Sequence, residues 1–408
     1  MFEQMISQYA ELAVKVGVNI QAGQTLVIIA PLAAVDFVRL AAEKAYHAGA
    51  KNVHIEWSDD RITRLKYDLA PLEAFEEYPI WRAKGFEEMA EQGAAFLSIV
   101  ASNPDLLKGV NPDKIAAANR SAGVAMQTYR NYIQADRVSW CVIAVPSPEW
   151  AARVFPEAPA EDQVNKLWQA IFEATRANLD NPTQAWQEHN SQLDHKVTIL
   201  NEKRYKTLHY TAPGTALTID LPERHLWMGG GSVNQDGTPF VANIPTEEVF
   251  TTPQRDGVNG TVRSSKPLSY GGNLIEDFSL TFEKGKVVAF TAKKGAETLQ
   301  RLLDTDEGAR YLGEVALVPH YSPISNMNLI FYNTLFDENA SNHLALGSAY
   351  AFCLEGGKDM SKEELKQNGA NDSLVHVDFM IGCEEMDIDG ETADGRREPI
   401  FRNGNWAF

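Results

Sequence analysis

Apolar residues recur at helical spacing over residues 2–16 (Phe2, Met5, Ile6, Tyr9, Leu12, Ala13, Val16). Positions spaced this way fall on one face of a helix, so the chain is expected to open with an amphipathic helix. The pattern then shortens. Residues 24–30 form a continuous apolar run ending at Pro31, the texture of a strand buried on both faces. Helical spacing returns over 34–48 and stops at Gly49. Strand-like runs follow at 51–57, 94–100 and 138–146. Strands alternating with helices in this order predict a largely parallel sheet covered by helices.

Near residue 180 the texture changes. A polar helical stretch over 183–204 follows the turn-like Asp180-Asn-Pro182. Short strand patterns then alternate with glycine-bearing turns at 228–232, 256–257, 270–272 and 283–286. The reading is an α/β domain over 1–182 and a strand-rich α+β domain over 183–408.

A buried parallel sheet invites a nucleotide reading, but the first strand–helix turn (Ala30-Pro-Leu-Ala-Ala-Val35) carries no glycine. No G-x-G-x-x-G lies there, and no G-x-x-x-x-G-K-[ST] occurs anywhere. The net charge is −18. So acidic a chain is a poor partner for phosphate backbones and anionic membranes, which argues against nucleic acid and membrane partners. The three cysteines (Cys141, Cys353, Cys383) are widely spaced and odd in number, which suits a reducing compartment. The N-terminus lacks a basic segment followed by an apolar core, and no run approaches the length of a membrane span. A cytoplasmic protein is expected.

Candidate chemistry collects in the second half. In Val375-His-Val-Asp-Phe-Met-Ile-Gly382 the side chains alternate, so His376 and Asp378 share one face of a strand while Val375, Val377 and Phe379 share the other. Residues 339–350 read as a helix or helical turn, with His343 and Tyr350 on one face. Glu314 enters an apolar strand pattern at 310–319, where a carboxylate must be paired, protonated or ligated. Glu247 and Glu248 sit on a loop or short strand between Pro245 and Pro253. Of the other histidines, His47, His54, His189, His195, His209 and His225 read as structural or solvated, and His320 is undecided. Two histidines and three acids match the ligand demand of a two-metal hydrolytic site. There is no HExxH helix and no G-x-S-x-G elbow. The same ligand types also suit a structural metal site in a non-catalytic protein, or a two-metal amidase or carboxypeptidase.

Taken together, NIPTEEVFTTP, RYLGEVALVP, NTLFDENASNHLALGSAY and VHVDFMIG resemble the thermophilic metallo-aminopeptidases of the aminopeptidase T, aminopeptidase S and PepS kind. The opening YAELAVKVGVNIQAGQTLVIIAP resembles that family as well, so the likeness spans the chain. It implies two divalent metal ions per subunit, zinc or cobalt foremost, with manganese or magnesium also admissible. Matched residue by residue, it implies Glu248, Glu314, His343, His376 and Asp378 as ligands, with Glu248 preferred over Glu247. It implies Tyr350 beside the metals. A hydroxyl there can steady a tetrahedral oxyanion, and the general base should be a carboxylate at or next to the metals, Glu314 or Glu247. The likeness further implies peptides with a free N-terminus as substrates and a homodimer as the working form.

Overall fold

A computed structural model describes residues 2–101, 103–271 and 273–408; Gly272 of the expected 270–272 turn lies outside them. The chain divides into two compact units, Met1–Glu188 with Gly231–Pro245, and His189–Gly230 with Thr246–Phe408.

The first unit is built on four strands, β1 (Thr25–Pro31), β2 (Asn52–Ser58), β3 (Ala95–Val100) and β4 (Trp140–Ala144). They pair in the order β2-β1-β3-β4, all parallel. Parallel strands need crossovers, and helices such as Val35–His47 and Ile80–Glu91 supply them. That is the sheet the apolar runs predict. The opening helix is Phe2–Leu12, continued by a wider turn to Gly17. Its buried Tyr9 donates its hydroxyl to the Ala144 carbonyl at 3.0 Å, so the helix is tied to β4. The segment 231–245 joins this unit along the same strand. Val142 N donates to Ala242 O (2.8 Å), and Ile244 N donates to Val142 O (3.0 Å). Only the folded chain shows that the first unit is discontinuous.

The second unit carries two antiparallel sheets. A nine-stranded sheet includes Thr207–Ala212, Asn273–Glu283 and Asp387–Glu391. A smaller sheet has five strands, β5 (Met228–Gly229), β6 (Val249–Thr251), β7 (Leu312–Leu317), β8 (His343–Gly347) and β9 (His376–Met380). Their order is β9-β8-β7-β6-β5, antiparallel throughout. Strand-rich α+β is therefore the architecture, as the turn-punctuated texture predicts.

One expectation fails. Residues 343–347 form β8, not a helix, so His343 and Tyr350 do not share a helical face. All five residues of β8 are buried, and β8 is paired on both edges. A strand enclosed on every side loses the alternation that would betray it, and a short apolar run then reads equally well as helix.

Candidate functional site

Cross-strand partners in a sheet lie on the same face, and so do residues two apart along a strand. The register therefore sorts the small sheet into two faces. Phe250 pairs with Ala316, Ala316 with His343, and His343 with Met380. Glu314 pairs with Ala345, and Ala345 with Asp378. Glu248, His376, Asp378, Glu314 and His343 thus share one face. On the other face Val249, Val315, Leu317, Leu344, Leu346 and Phe379 enter the hydrophobic core. Apolar side chains on the inner face bury the sheet, and that leaves the outer face free for chemistry.

Ala316, Ala345 and Gly347 make the floor between the charged groups. Ala345 separates Glu314 from Asp378, and Gly347 pairs with His376. Gly347 has φ +109°, and a Cβ there would stand 2.0 Å from the Val375 carbonyl oxygen. On β5, a Cβ on Gly229 would meet the Glu248 carbonyl oxygen at 2.8 Å. Glycine at both places lets the strands that carry the charged residues close up.

The side chains converge in two groups of three. Glu248, Glu314 and His343 form one, and Glu314, His376 and Asp378 the other; within each, ligand atoms lie within 4.8 Å of one another. Glu314 belongs to both. Its Oε1 is 3.5 Å from His343 Nε2 and its Oε2 is 3.5 Å from His376 Nε2. Glu248 Oε2 is 3.1 Å from His343 Nε2, and Asp378 Oδ1 is 3.5 Å from His376 Nε2. His343 is 1% exposed and His376 22%, so the second group is the one nearer solvent.

The imidazoles are oriented from behind. His343 Nδ1 donates to the Ser341 carbonyl (3.2 Å), and His376 Nδ1 donates to the Ser348 carbonyl (2.7 Å). A carbonyl only accepts, so the proton sits on Nδ1 and Nε2 is turned toward the carboxylates. A lone pair facing an anion is tolerable only with a cation between them. Glu248 Oε2 and Asp378 Oδ1 are buried with no hydrogen-bond partner, which is the same demand seen from the carboxylate side. Hard carboxylate oxygens and imidazole nitrogens suit divalent zinc, cobalt or manganese. The residues fit metal ions.

The protonation balance of the protein alone points the same way. Burial pushes the Glu248 carboxyl above its ordinary value, assisted by the charges of Glu314 and Asp378. Burial also works against Glu314, but His343 and His376 outweigh it and carry that carboxyl down to about 2. Both imidazoles are held well above their ordinary value, the carboxylates overcoming burial. Without metal, protons on the histidines supply the positive charge.

A tetrapeptide ahead of β8 ties the ligand-bearing strands together. The buried Asn342 accepts from Val318 N through Oδ1 (2.8 Å), just past β7. Its backbone oxygen accepts from Ile381 N and Gly382 N, just past β9 (2.9 Å each). Asn339, fully buried, accepts from Glu247 N at 2.7 Å and so anchors the residue before Glu248.

Among the expected residues, the structure brings Glu248, Glu314, His343, His376 and Asp378 together. Tyr350 stands beside them, its ring 4.8 Å from that of His376. Burial and the neighbouring carboxylates hold its hydroxyl well above the ordinary value, so it stays a donor. Glu247 points elsewhere; its carboxylate lies 3.6 Å from the buried His189, whose Nε2 is 2.8 Å from the Thr246 carbonyl. His320 lies against the ring of Tyr321, 5.6 Å between centroids, outside both groups. Sequence reasoning missed Glu338. This residue lies in the turn Glu338–Ala340 and lines a small pocket of ≈ 60 Å³ with Asp337 and Asp378. Burial, then the charges of Asp378 and Glu248, push its carboxyl well above the ordinary value. It stands five residues ahead of His343, with no pattern in the neighbouring sequence to mark it.

A family model described as thermophilic metalloprotease (M29) matches residues 2–406. The chain is 61% identical to aminopeptidase AmpS of Bacillus subtilis over 407 residues, covering 100% of this chain and 99% of that one. It is 59% identical to aminopeptidase 2 of Geobacillus stearothermophilus, covering 100% and 98%. The solved structure of wild-type AmpT from Thermus thermophilus superposes with a TM-score of 0.94 at 45% identity, covering 100% of both chains.

Proposed function

The chain belongs to the thermophilic metalloprotease (M29) family, and on that footing we propose that it is an aminopeptidase whose five clustered side chains hold two divalent ions. Glu248, Glu314 and His343 would hold one, and Glu314, His376 and Asp378 the other. The observation that carries this reading is the sharing of Glu314 between two ligand groups, each closed to within 4.8 Å. Zinc and cobalt suit the donor set best, with manganese and magnesium as alternatives.

Such a pair supplies a water that ionises near neutral pH and an electrophile for the peptide carbonyl. The chain's own groups do the rest. Glu338 is free of both ligand groups and sits against them; with the charges of Glu248, Glu314 and Asp378 neutralised by bound ions it would ionise, and it is then the residue to accept the proton of the attacking water and return it to the leaving amine. Glu314, tied to both histidines, stays ionised and serves as ligand. The Tyr350 hydroxyl, held protonated, donates to the oxyanion as the carbonyl becomes tetrahedral. The free α-amine of a peptide would complete the coordination that the five ligands leave open, which would confine cleavage to the first bond. The proposal extends to a homodimer acting in the cytoplasm, with the oligomeric part read by light scattering. Among the described residues no helix is long and apolar enough to cross a membrane.

The test is hydrolysis of leucyl-p-nitroanilide by protein stripped of metal and resupplied with Zn²⁺, Co²⁺ or Mn²⁺. N-acetyl-leucyl-p-nitroanilide and the His376→Ala variant run alongside. Metal-dependent release from the free amine alone, lost in the variant, is expected. Equal cleavage of the acetylated compound would overturn the exopeptidase reading.

A further inference from the structure

The outer face of the small sheet carries more than charge. Phe250 lies on that face in the row of Ala316 and His343, two residues beyond Glu248. Two other rings meet it. Tyr350 stands edge-on at 6.1 Å between centroids, and Phe352 stands edge-on at 6.1 Å. Tyr350 and Phe352 stack on each other at 5.2 Å and 13°. Tyr350 in turn lies 4.8 Å from the ring of His376. The three rings therefore make one aromatic wall that runs from the Glu248 side of the charged cluster to the His376 side.

All three rings are only partly buried, whereas Phe278 and Phe379, which pack into the core of the same unit, are covered almost completely. Tyr350 has its hydroxyl to offer the reaction. Phe250 and Phe352 have nothing but apolar surface, and they hold it open beside buried carboxylates. Aromatic rings left partly open at the edge of a polar centre are suited to receive another apolar group, edge-on or stacked.

We propose that Phe250 and Phe352, with the ring of Tyr350, seat the side chain of the substrate's first residue and select aromatic and larger aliphatic side chains there. This rests on the aminopeptidase reading. The first residue is the one whose α-amine and carbonyl must reach the charged cluster, so its side chain is the part of a peptide that arrives next to these rings. An alanyl side chain reaches too little of the wall to gain from it, while a phenylalanyl or leucyl side chain covers it. Discrimination between a large and a small apolar side chain in such a seat amounts to about tenfold or more.

The experiment compares alanyl-, leucyl- and phenylalanyl-p-nitroanilide on the metal-reconstituted wild type and on Phe250→Ala, Phe352→Ala and Phe352→Leu. In parallel, calorimetry measures the binding of L-phenylalaninamide and L-alaninamide to the same proteins. The wild type is expected to favour phenylalanyl over alanyl substrate by about tenfold or more in kcat/KM. Each alanine variant is expected to bring that ratio down to within about threefold of unity, mainly through KM, and Phe352→Leu to keep part of it. A wild-type ratio near unity, an unchanged ratio in both alanine variants, or a uniform loss across the three substrates would overturn the proposal. Should the wild type hydrolyse none of the three, the activity reading fails, and the calorimetry decides the seat by itself. Tighter binding of phenylalaninamide that the alanine variants abolish sustains it, and equal binding of the two amides overturns it.

Discussion

The parallel sheet of the first unit and the small sheet of the second use their faces differently. In the first unit β1 runs through the middle with Leu26, Val27, Ile28 and Ala30 all buried. Helices cover both faces, so the side chains along its middle are apolar. In the second unit the five-stranded sheet gives one face to the core and lines the other with carboxylates and imidazoles. A charge is affordable there because opposite charges and carbonyl acceptors meet it, and because small residues keep the floor open. The lesson is that burial alone does not separate scaffold from site. His343 is as buried as Ile28, and only the partners differ.

The sharpest break in that comparison is Glu314→Ala. Removing the carboxylate common to both groups should lower kcat/KM by about a hundredfold or more, since even outer supporting groups of a metal site are worth about 10–100-fold. Metal content per chain, measured by atomic emission, should fall with it. The complementary break plants a charge where no partner exists. Ile28→Asp should destabilise the protein by about 3–5 kcal/mol, the scale of an uncompensated buried charge, as read by denaturant unfolding. Together these two variants test whether a buried charge is tolerated for its partners or for its place.

Smaller changes sharpen the picture. Asn342→Leu leaves Val318 N without its acceptor, at a cost of about 1–3 kcal/mol, and loosens the tie between β7 and β8. Metal affinity should drop in calorimetry, and Asn342→Asp, which keeps an acceptor, should recover most of it. Ala345→Val crowds the floor between Glu314 and Asp378 and should cost about 1–3 kcal/mol, with metal binding weakened more than stability.

The metal-free protein should also lose stability as pH rises from 6 to 9. The raised imidazoles of His343 and His376 contribute stability that is fully present below their ordinary 6.5 and lost as pH climbs through their folded values. Glu248, also raised, adds a penalty that grows above its ordinary 4.5. Glu314, lowered to about 2, contributes the opposite dependence only in acid and is level across this window. Thermal melts in chelator should show the decline. Bound metal should reverse it, because protons then compete less for the ligands. A flat melting temperature in chelator would show that the histidines do not carry the charge.

Much of the fold was legible. The parallel sheet showed in continuous apolar runs separated by helical ones, and β9 showed in its alternation. Residues 339–350 misled because β8 is enclosed on both faces, which erases its period. The five clustered acids and histidines were picked out by motif likeness and by the oddity of a carboxylate in an apolar strand. Glu338 was not, since an acid in a polar turn carries no pattern of its own. Glu247 and Glu248 differ only in which way the segment leading into β6 turns them, and local sequence does not encode that direction.

By itself the sequence determined the four strands and the first two helices of the first unit, which side of β9 is polar, and which acids and histidines of the second half are out of place among apolar neighbours. These follow from local periodicity and residue type, which act over a few neighbours. The tertiary structure decided what depends on pairing between distant strands. It brought β6, β7, β8 and β9 into register, turned Glu248 outward and Glu247 toward His189, and set three aromatic rings beside the carboxylates. It also returned residues 231–245 to the first unit. Register is a matter of hydrogen bonds between segments tens of residues apart, and a slip of one residue would have sent every one of these side chains to the opposite face.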